Sequence, residues 1–212
     1  MTVREESQAV ENRTMEIPER RRGGRRPTAE VRDAALSAAA ELLFDGGIEQ
    51  VTHDRVATRA GVSKTTVYKW WPTAGALAAE AYLLRSEPLL ELPDSGDFAE
   101  DLLIQMQRFV ALVTEPPASR AIRGILAAAQ TDDTAREAFL RGYVIPRRDL
   151  TERAFRRAQH SGQVRADADF SAFIDQLWGA CYYRLLVEPS AVTAEYGEAL
   201  VRQSLTGIAQ WG

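Results

Sequence analysis

The sequence predicts an all-α chain: an N-terminal three-helix unit built around a helix-turn-helix, followed by a longer helical region. Apolar residues recur at three- and four-residue spacing along most of its 212 residues, and no segment shows the alternation of a strand. Thr, Ser and Asp stand at the starts of these stretches and Gly or Pro at many of their ends, which is the punctuation of capped helices. The short stretches THDRVATRA and SKTTVYKWW are separated by little more than Gly61-Val62, the spacing of a helix-turn-helix.

Order is expected to begin at Pro27-Thr28, with Thr28 as cap and Glu30 near the positive end of the helix dipole. Val31, Ala35, Ala38, Ala39 and Leu42 form the apolar face of a first helix, about 28–45, stopped by Gly46-Gly47. Thr52 caps a second helix whose inward residues are the small Val56, Ala57 and Ala60, and Gly61 ends it. Ser63 caps the third, in which Val67, Trp70 and Trp71 face inward while Lys64, Thr65, Tyr68 and Lys69 occupy the other side. TAGALAAEAYLLR reads as a fourth helix. Asp97 caps DFAEDLLIQMQRFVALVT, which EPP ends. Helices over residues 118–130, 133–143 and 146–161 follow, and Asp169 and Thr193 cap the last two. The division is a flexible arm over 1–26, the helix-turn-helix unit over 27–75 and a helical body over 76–212.

Hydrophobic residues at 45% and charged residues at 26% are ordinary for a globular protein. The apolar runs fall short of a membrane span, and the opening MTVREESQAVENR lacks a secretory core, so the expected location is cytoplasmic and no membrane partner is expected. The net charge of -4 is uneven: +4 over residues 20–75, -5 over 76–212 and -3 over 1–19. A basic block on an acidic body suggests that only the first part meets a polyanion, the alternative being solvated surface. Of the 26 lysines and arginines only Lys64 and Lys69 are lysines, and both fall on the third helix, where two cations, a hydroxyl and a phenol suit phosphates and base edges in a major groove. The arginine-rich composition of a GC-rich genome would also make lysines rare. The arm's arginines, Arg25 and Arg26 among them, have the character of a segment that threads along a groove.

The run RDAALSAAAELLFDGGIEQVTHDRVATRAGVSKTTVYKWWPTAGAL, from Arg32 to Leu77, resembles the N-terminal DNA-binding domain of the TetR family of transcriptional regulators. The match lies in the closely packed first helix, Gly46-Gly47, Thr52, Val56-Ala57, Ala60-Gly61-Val62-Ser63, and Val67-Tyr68 before an aromatic pair. The resemblance implies a C-terminal helical domain for ligand binding and dimerisation, and a homodimer that represses, less often activates, genes from a palindromic double-stranded operator until a small-molecule effector releases it. It carries DNA contact onto Thr52 as a phosphate-binding cap and onto Ser63, Lys64, Thr65, Thr66, Tyr68, Lys69 and Trp70. Where the family usually has a phosphate-contacting lysine, this chain has Ala74, which leaves Thr73, the helix N-terminus or the arginine arm to hold that phosphate.

In the body, Phe109, Tyr143 and Trp178 are the candidate lining of an effector cavity among aromatic residues that otherwise read as core. Residues 170–186 and 194–209 are the candidate dimer interface, although packing within one subunit needs similar apolar content. His53 and His160 have no metal-ligand spacing, and His53 reads as a surface residue of the second helix. Asp167-Ala168-Asp169 reads as helix capping, and Cys181 as a small packing residue. No catalytic motif is present and no cofactor or metal is expected. The alternative function is a helical small-molecule-binding or enzymatic protein whose helix-turn-helix has lost its DNA role.

Overall fold

The computed structural model describes residues 27–86, 91–188 and 191–208; Arg25 and Arg26 lie outside the described residues. These are helical almost throughout, with no β-strand among them.

Helix α1 (Thr28–Gly46) starts one residue earlier than the Thr28 cap predicted. Pro27 is the flanking residue, extended at ψ 144°, and its carbonyl accepts Val31 N–H at 3.2 Å. A proline has no N–H to satisfy and its ring fixes φ, so it leads into a helix without a capping side chain. Ala35, Ala38 and Ala39 of the predicted face are buried on α1, joined by Leu36, Ala40 and Leu43, while Val31 and Leu42 are half-buried. After a 3-10 turn (Ile48–Gln50) come α2 (His53–Ala60), α3 (Lys64–Trp70) and α4 (Ala74–Ser86). Helix α3 ends at Trp70 because Pro72 excludes helical backbone at Trp71, which is extended at φ -128°. Alanines 35, 38 and 39 on α1 and 76, 78, 79 and 81 on α4 let these two helices pack closely.

Asp97 caps α5 (Phe98–Thr114), accepting from the N–H groups of Ala99 and Glu100. Helix α6 (Ala118–Ala128) follows. The next stretch differs from the two separate helices predicted: α7 (Asp133–Phe139) runs through a π-turn (Leu140–Val144) directly into α8 (Ile145–His160). Pro146 has no N–H to offer the Gly142 carbonyl one turn back, and the ladder accommodates this by widening rather than breaking. Asp169 caps α9 (Phe170–Leu186) through Ala172 N–H at 2.7 Å, and Thr193 caps α10 (Ala194–Ile208) through Tyr196 N–H at 3.2 Å. Helix α10 lies on α5. The core of the body is Leu102, Met106, Ile122, Ile125, Phe155, Ile174, Leu177 and Val201, with the Cys181 thiol 3.8 Å from the Met106 sulfur as one more packing contact. No helix among the described residues is long and apolar enough to cross a membrane.

Candidate nucleic-acid interface and interhelical cavity

The turn between α2 and α3 is fixed by three local devices. Thr52 Oγ1 accepts Arg55 N–H at 3.3 Å at the start of α2. Gly61 takes the left-handed conformation at φ 65°, which costs a side-chain-bearing residue energy, and Val62 N–H returns to the Ala57 carbonyl at 3.0 Å. Ser63 Oγ then accepts Thr66 N–H at 3.1 Å and lies 2.6 Å from the Thr66 hydroxyl, opening α3. Short-range chemistry thus dictates the helix-turn-helix.

Two residues anchor α3. Val67 is fully buried, and Trp71 donates its indole N–H to Glu80 of α4 at 2.5 Å. Glu80 is also paired with Arg32 of α1, whose guanidinium lies 5.1 Å from the Trp71 ring, so α1 and α4 meet at that indole. Nothing in the spacing of the sequence marks this network, because its members are far apart along the chain. His53, expected at the surface, is buried. Its Nε2 is 2.8 Å from the Trp71 carbonyl oxygen, which can only accept, so the proton sits on Nε2. The ring stacks on Tyr68 at 3.7 Å and 8°. A carbonyl left over at the end of α3 needs a donor, and the histidine provides it.

With Val67 and Trp71 turned inward, Ser63, Lys64, Thr65, Tyr68 and Lys69 form one exposed flank. Tyr68 is 46% exposed and held flat by His53. Lys64 Nζ is 2.7 Å from Asp54 and 5.8 Å from the Tyr68 ring; the hydrogen bond to that carboxylate holds its ammonium above the usual lysine range. Lys69 makes no ion pair with a described residue. The Thr66 hydroxyl is turned towards Ser63, and Trp70 is half-buried, edge-on to Trp71 at 5.8 Å. Thr73 is engaged inside the protein: it caps α4 by accepting Ala76 N–H at 3.1 Å and stands beside the Asp132 carboxylate that caps α7. Desolvation raises the Asp132 pKa, but the bonds from Thr73 and from the backbone of Ala135 and Thr134 outweigh it and hold the carboxylate below its ordinary range.

Phe109, Tyr143 and Trp178 line one cavity of about 290 Å³, together with Val144, Arg147, Ile174 and Tyr182. It lies between α5, the π-turn and start of α8, and α9, with the Arg148–Asp175 ion pair on its wall at 2.5 Å. Arg147 was missed in the sequence, though it stands one helical turn beyond Tyr143, and its guanidinium is 5.2 Å from that ring. Among the described residues no group of His, Cys, Asp or Glu side chains could hold a metal ion.

Residues 35–81 match the family described as bacterial regulatory proteins, tetR family, and residues 92–204 match the tetracyclin repressor-like C-terminal domain. The HTH-type transcriptional regulator YdeS of Bacillus subtilis is 30% identical over 82% of this chain and 88% of its own length. The HTH-type regulator Mb1581 of Mycobacterium bovis is 26% identical over 78% and 81%. The crystal structure of the TetR family transcription regulator SCO0332 superposes with a TM-score of 0.77 at 43% identity, covering 85% of this chain and 99% of that one. These relatives are transcriptional regulators rather than enzymes. Two matched domains in tandem around a helix-turn-helix place the assignment beyond fold likeness: this chain belongs to the TetR family of transcriptional regulators.

Proposed function

We propose that this regulator is a cytoplasmic homodimeric repressor that holds a palindromic operator with two copies of α3 and is released by a small molecule bound in the body. The division into an arm, a DNA-binding unit over 27–75 and a body over 76–212 belongs to this reading. The observation that carries it is the flank of α3, where capping and inward anchors leave Lys64, Thr65, Tyr68 and Lys69 facing outward together. Lys64 would exchange Asp54 for a phosphate or a base edge, an exchange made easy because an exposed ion pair contributes little on its own. Thr52 and Ser63 offer hydroxyls beside the same groove, and Arg25 and Arg26 extend the contact.

Helices α9 and α10 suit a twofold interface. Tyr183 and Leu186 are more than half exposed on α9, and Gly179 and Gly207 have open space where a side chain would stand, so a second helix can approach closely. Four such helices make a bundle, and two copies of α3 would then need to lie ~34–36 Å apart to meet successive major grooves. Titration of the protein against its own promoter DNA at two salt concentrations tests the reading. Tight binding that weakens steeply with salt is expected, and Lys64→Ala should lose affinity and selectivity. Weak, sequence-independent binding, or a Lys64→Ala variant equal to wild type in both respects, would refute it.

A further inference from the structure

We infer that His53 is a positioning residue for DNA binding: its buried imidazole holds the exposed Tyr68 ring in one orientation before DNA arrives, so that the phenol reaches a phosphate oxygen without first losing its freedom. The inference rests on the groove-facing reading of α3 above and adds to it a residue of α2 that is itself buried. The imidazole is fixed from behind. His53 is 7% exposed, and its Nε2–H donates to the Trp71 carbonyl at 2.8 Å. Trp71 is held in turn by burial and by its indole N–H on Glu80. The imidazole is therefore continuous with the core of the three-helix unit.

Its other neighbour is on the surface. The imidazole and the Tyr68 ring lie 3.7 Å apart between centroids and 8° from parallel, although Tyr68 is 46% exposed. The next residue of α2, Asp54, holds Lys64 at 2.7 Å, and Lys64 stands one helical turn before Tyr68 with its ammonium 5.8 Å from that ring. Two adjacent residues of α2 thus set two side chains of the α3 flank. Capping accounts for Nε2 but not for the ring: a donor of any shape satisfies a helix-end carbonyl, whereas a parallel stack needs a flat group. An exposed tyrosine without such a partner changes rotamer on the picosecond-to-nanosecond scale, and freezing it on binding costs severalfold in affinity. A ring already held in place avoids that cost, and its hydroxyl can donate to a phosphate from a fixed point.

The test uses the full chain, a fragment of its own promoter and a scrambled fragment of equal length, with wild type, His53→Gln, His53→Phe, Tyr68→Phe and the double variant His53→Gln/Tyr68→Phe. Circular dichroism melting confirms that each is folded. His53→Gln keeps a donor for the Trp71 carbonyl but no ring, and should bind the promoter about fivefold more weakly, the ~1 kcal/mol of ordering one side chain. His53→Phe keeps a ring but no donor, and should bind within about twofold of wild type while melting at lower temperature. Tyr68→Phe should cost on the order of tenfold in the wild-type background, and only about twofold after His53→Gln, where most of the gain from the contact has gone to ordering the ring. This cycle decides alone if His53→Phe does not fold. Carbon relaxation of labelled tyrosine rings gives a readout without DNA: Tyr68 should be rigid in wild type and His53→Phe, and mobile in His53→Gln. A mobile Tyr68 in the wild type, equal costs of Tyr68→Phe in both backgrounds, or a folded His53→Phe as weak as His53→Gln overturns the inference and spares the groove reading, provided the promoter is preferred to the scrambled fragment. Equal binding of the two fragments by wild type overturns the groove reading, and the inference with it, even where Tyr68 is rigid.

Discussion

Trp71→Phe is the substitution whose effect the structure defines best. The indole is 3% exposed and its N–H meets Glu80 at 2.5 Å. A hydrogen bond to a charged group contributes ~1.5–3 kcal/mol, and the Glu80 side chain is 31% exposed, so water partly replaces the lost donor and the lower end applies. The smaller ring leaves a gap in a close-packed site, adding up to ~1 kcal/mol. The expected loss is therefore ~2 kcal/mol, read as a lower midpoint in urea at unchanged slope. Operator affinity should fall with it, because Trp71 closes α3 against α1 and α4. A cycle with Glu80→Leu, which has no acceptor, isolates the bond: in that background the same Trp71→Phe change should cost clearly less. A loss below ~0.5 kcal/mol, or an equal loss in both backgrounds, would show that the indole acts by packing alone and that the Arg32–Glu80–Trp71 network does not hold α3.

Asp54→Asn removes the carboxylate that holds Lys64 and that would face the DNA phosphates, so operator binding should tighten and its salt dependence steepen; unchanged binding at both salt concentrations would argue against a groove role for Lys64. In Gly75→Ala the new methyl would lie 2.8 Å from Ala135 Cβ and 3.0 Å from an Asp132 carboxylate oxygen, neither of which swings away easily, so α7 must separate from α4 at a cost of ~1–3 kcal/mol, measured by urea denaturation; wild-type stability would refute that contact. Tyr82→Phe removes a buried hydroxyl that has no partner and should be neutral or stabilising at pH 7. Burial raises the folded-state pKa of Tyr82, Tyr143 and Tyr182, so the folded protein binds more protons than the unfolded chain once pH passes the ordinary phenol value of ~10, and stability falls from there upward. Thermal melts from pH 9 to 11 should show that decline, shallower in Tyr82→Phe; a flat profile would contradict it.

What was legible in the sequence was what is local. Thr52, Ser63, Asp97, Asp169 and Thr193 all cap the helices assigned to them, because a cap depends on one side chain and the next two or three N–H groups. The exposed flank of α3 follows from helical periodicity once Val67 and Trp71 are taken as inward. The rest depends on contacts that no spacing encodes. His53 lies on the outer side of a polar helix by pattern, and only the arrival of Tyr68 and the Trp71 carbonyl buries it. The sequence places separate helices over 133–143 and 146–161, and the π-turn that joins them ahead of Pro146 is a response to its missing donor that local propensity does not anticipate. Phe109, Tyr143 and Trp178 do line one cavity, but Arg147, which lines it too, has only its place one turn beyond Tyr143 to mark it in the sequence.

The path from that cavity to α3 is short and made of rigid parts. Tyr143 sits on the π-turn, 5.9 Å from Tyr82 of α4, and Tyr82 stacks on Phe44 of α1 at 6.0 Å. At the other end of α7, Asp132 and Ala135 pack against Gly75 in the first turn of α4, five residues past the end of α3. Helix α4 is therefore held at its middle by the cavity wall and at its beginning by the α7 cap, with Glu80 between them fastening Trp71. Helices and buried aromatic rings do not stretch, so a displacement of Tyr143 has no loop in which to dissipate; it must either be resisted or moved on to α4 and α1. A ligand gains leverage over DNA here only if it binds one setting of the Tyr143–Tyr82 contact better than another. The unsatisfied hydroxyls of those two tyrosines supply a physical basis for such a difference, because the setting that gives them an acceptor is favoured by the full cost of leaving them without one.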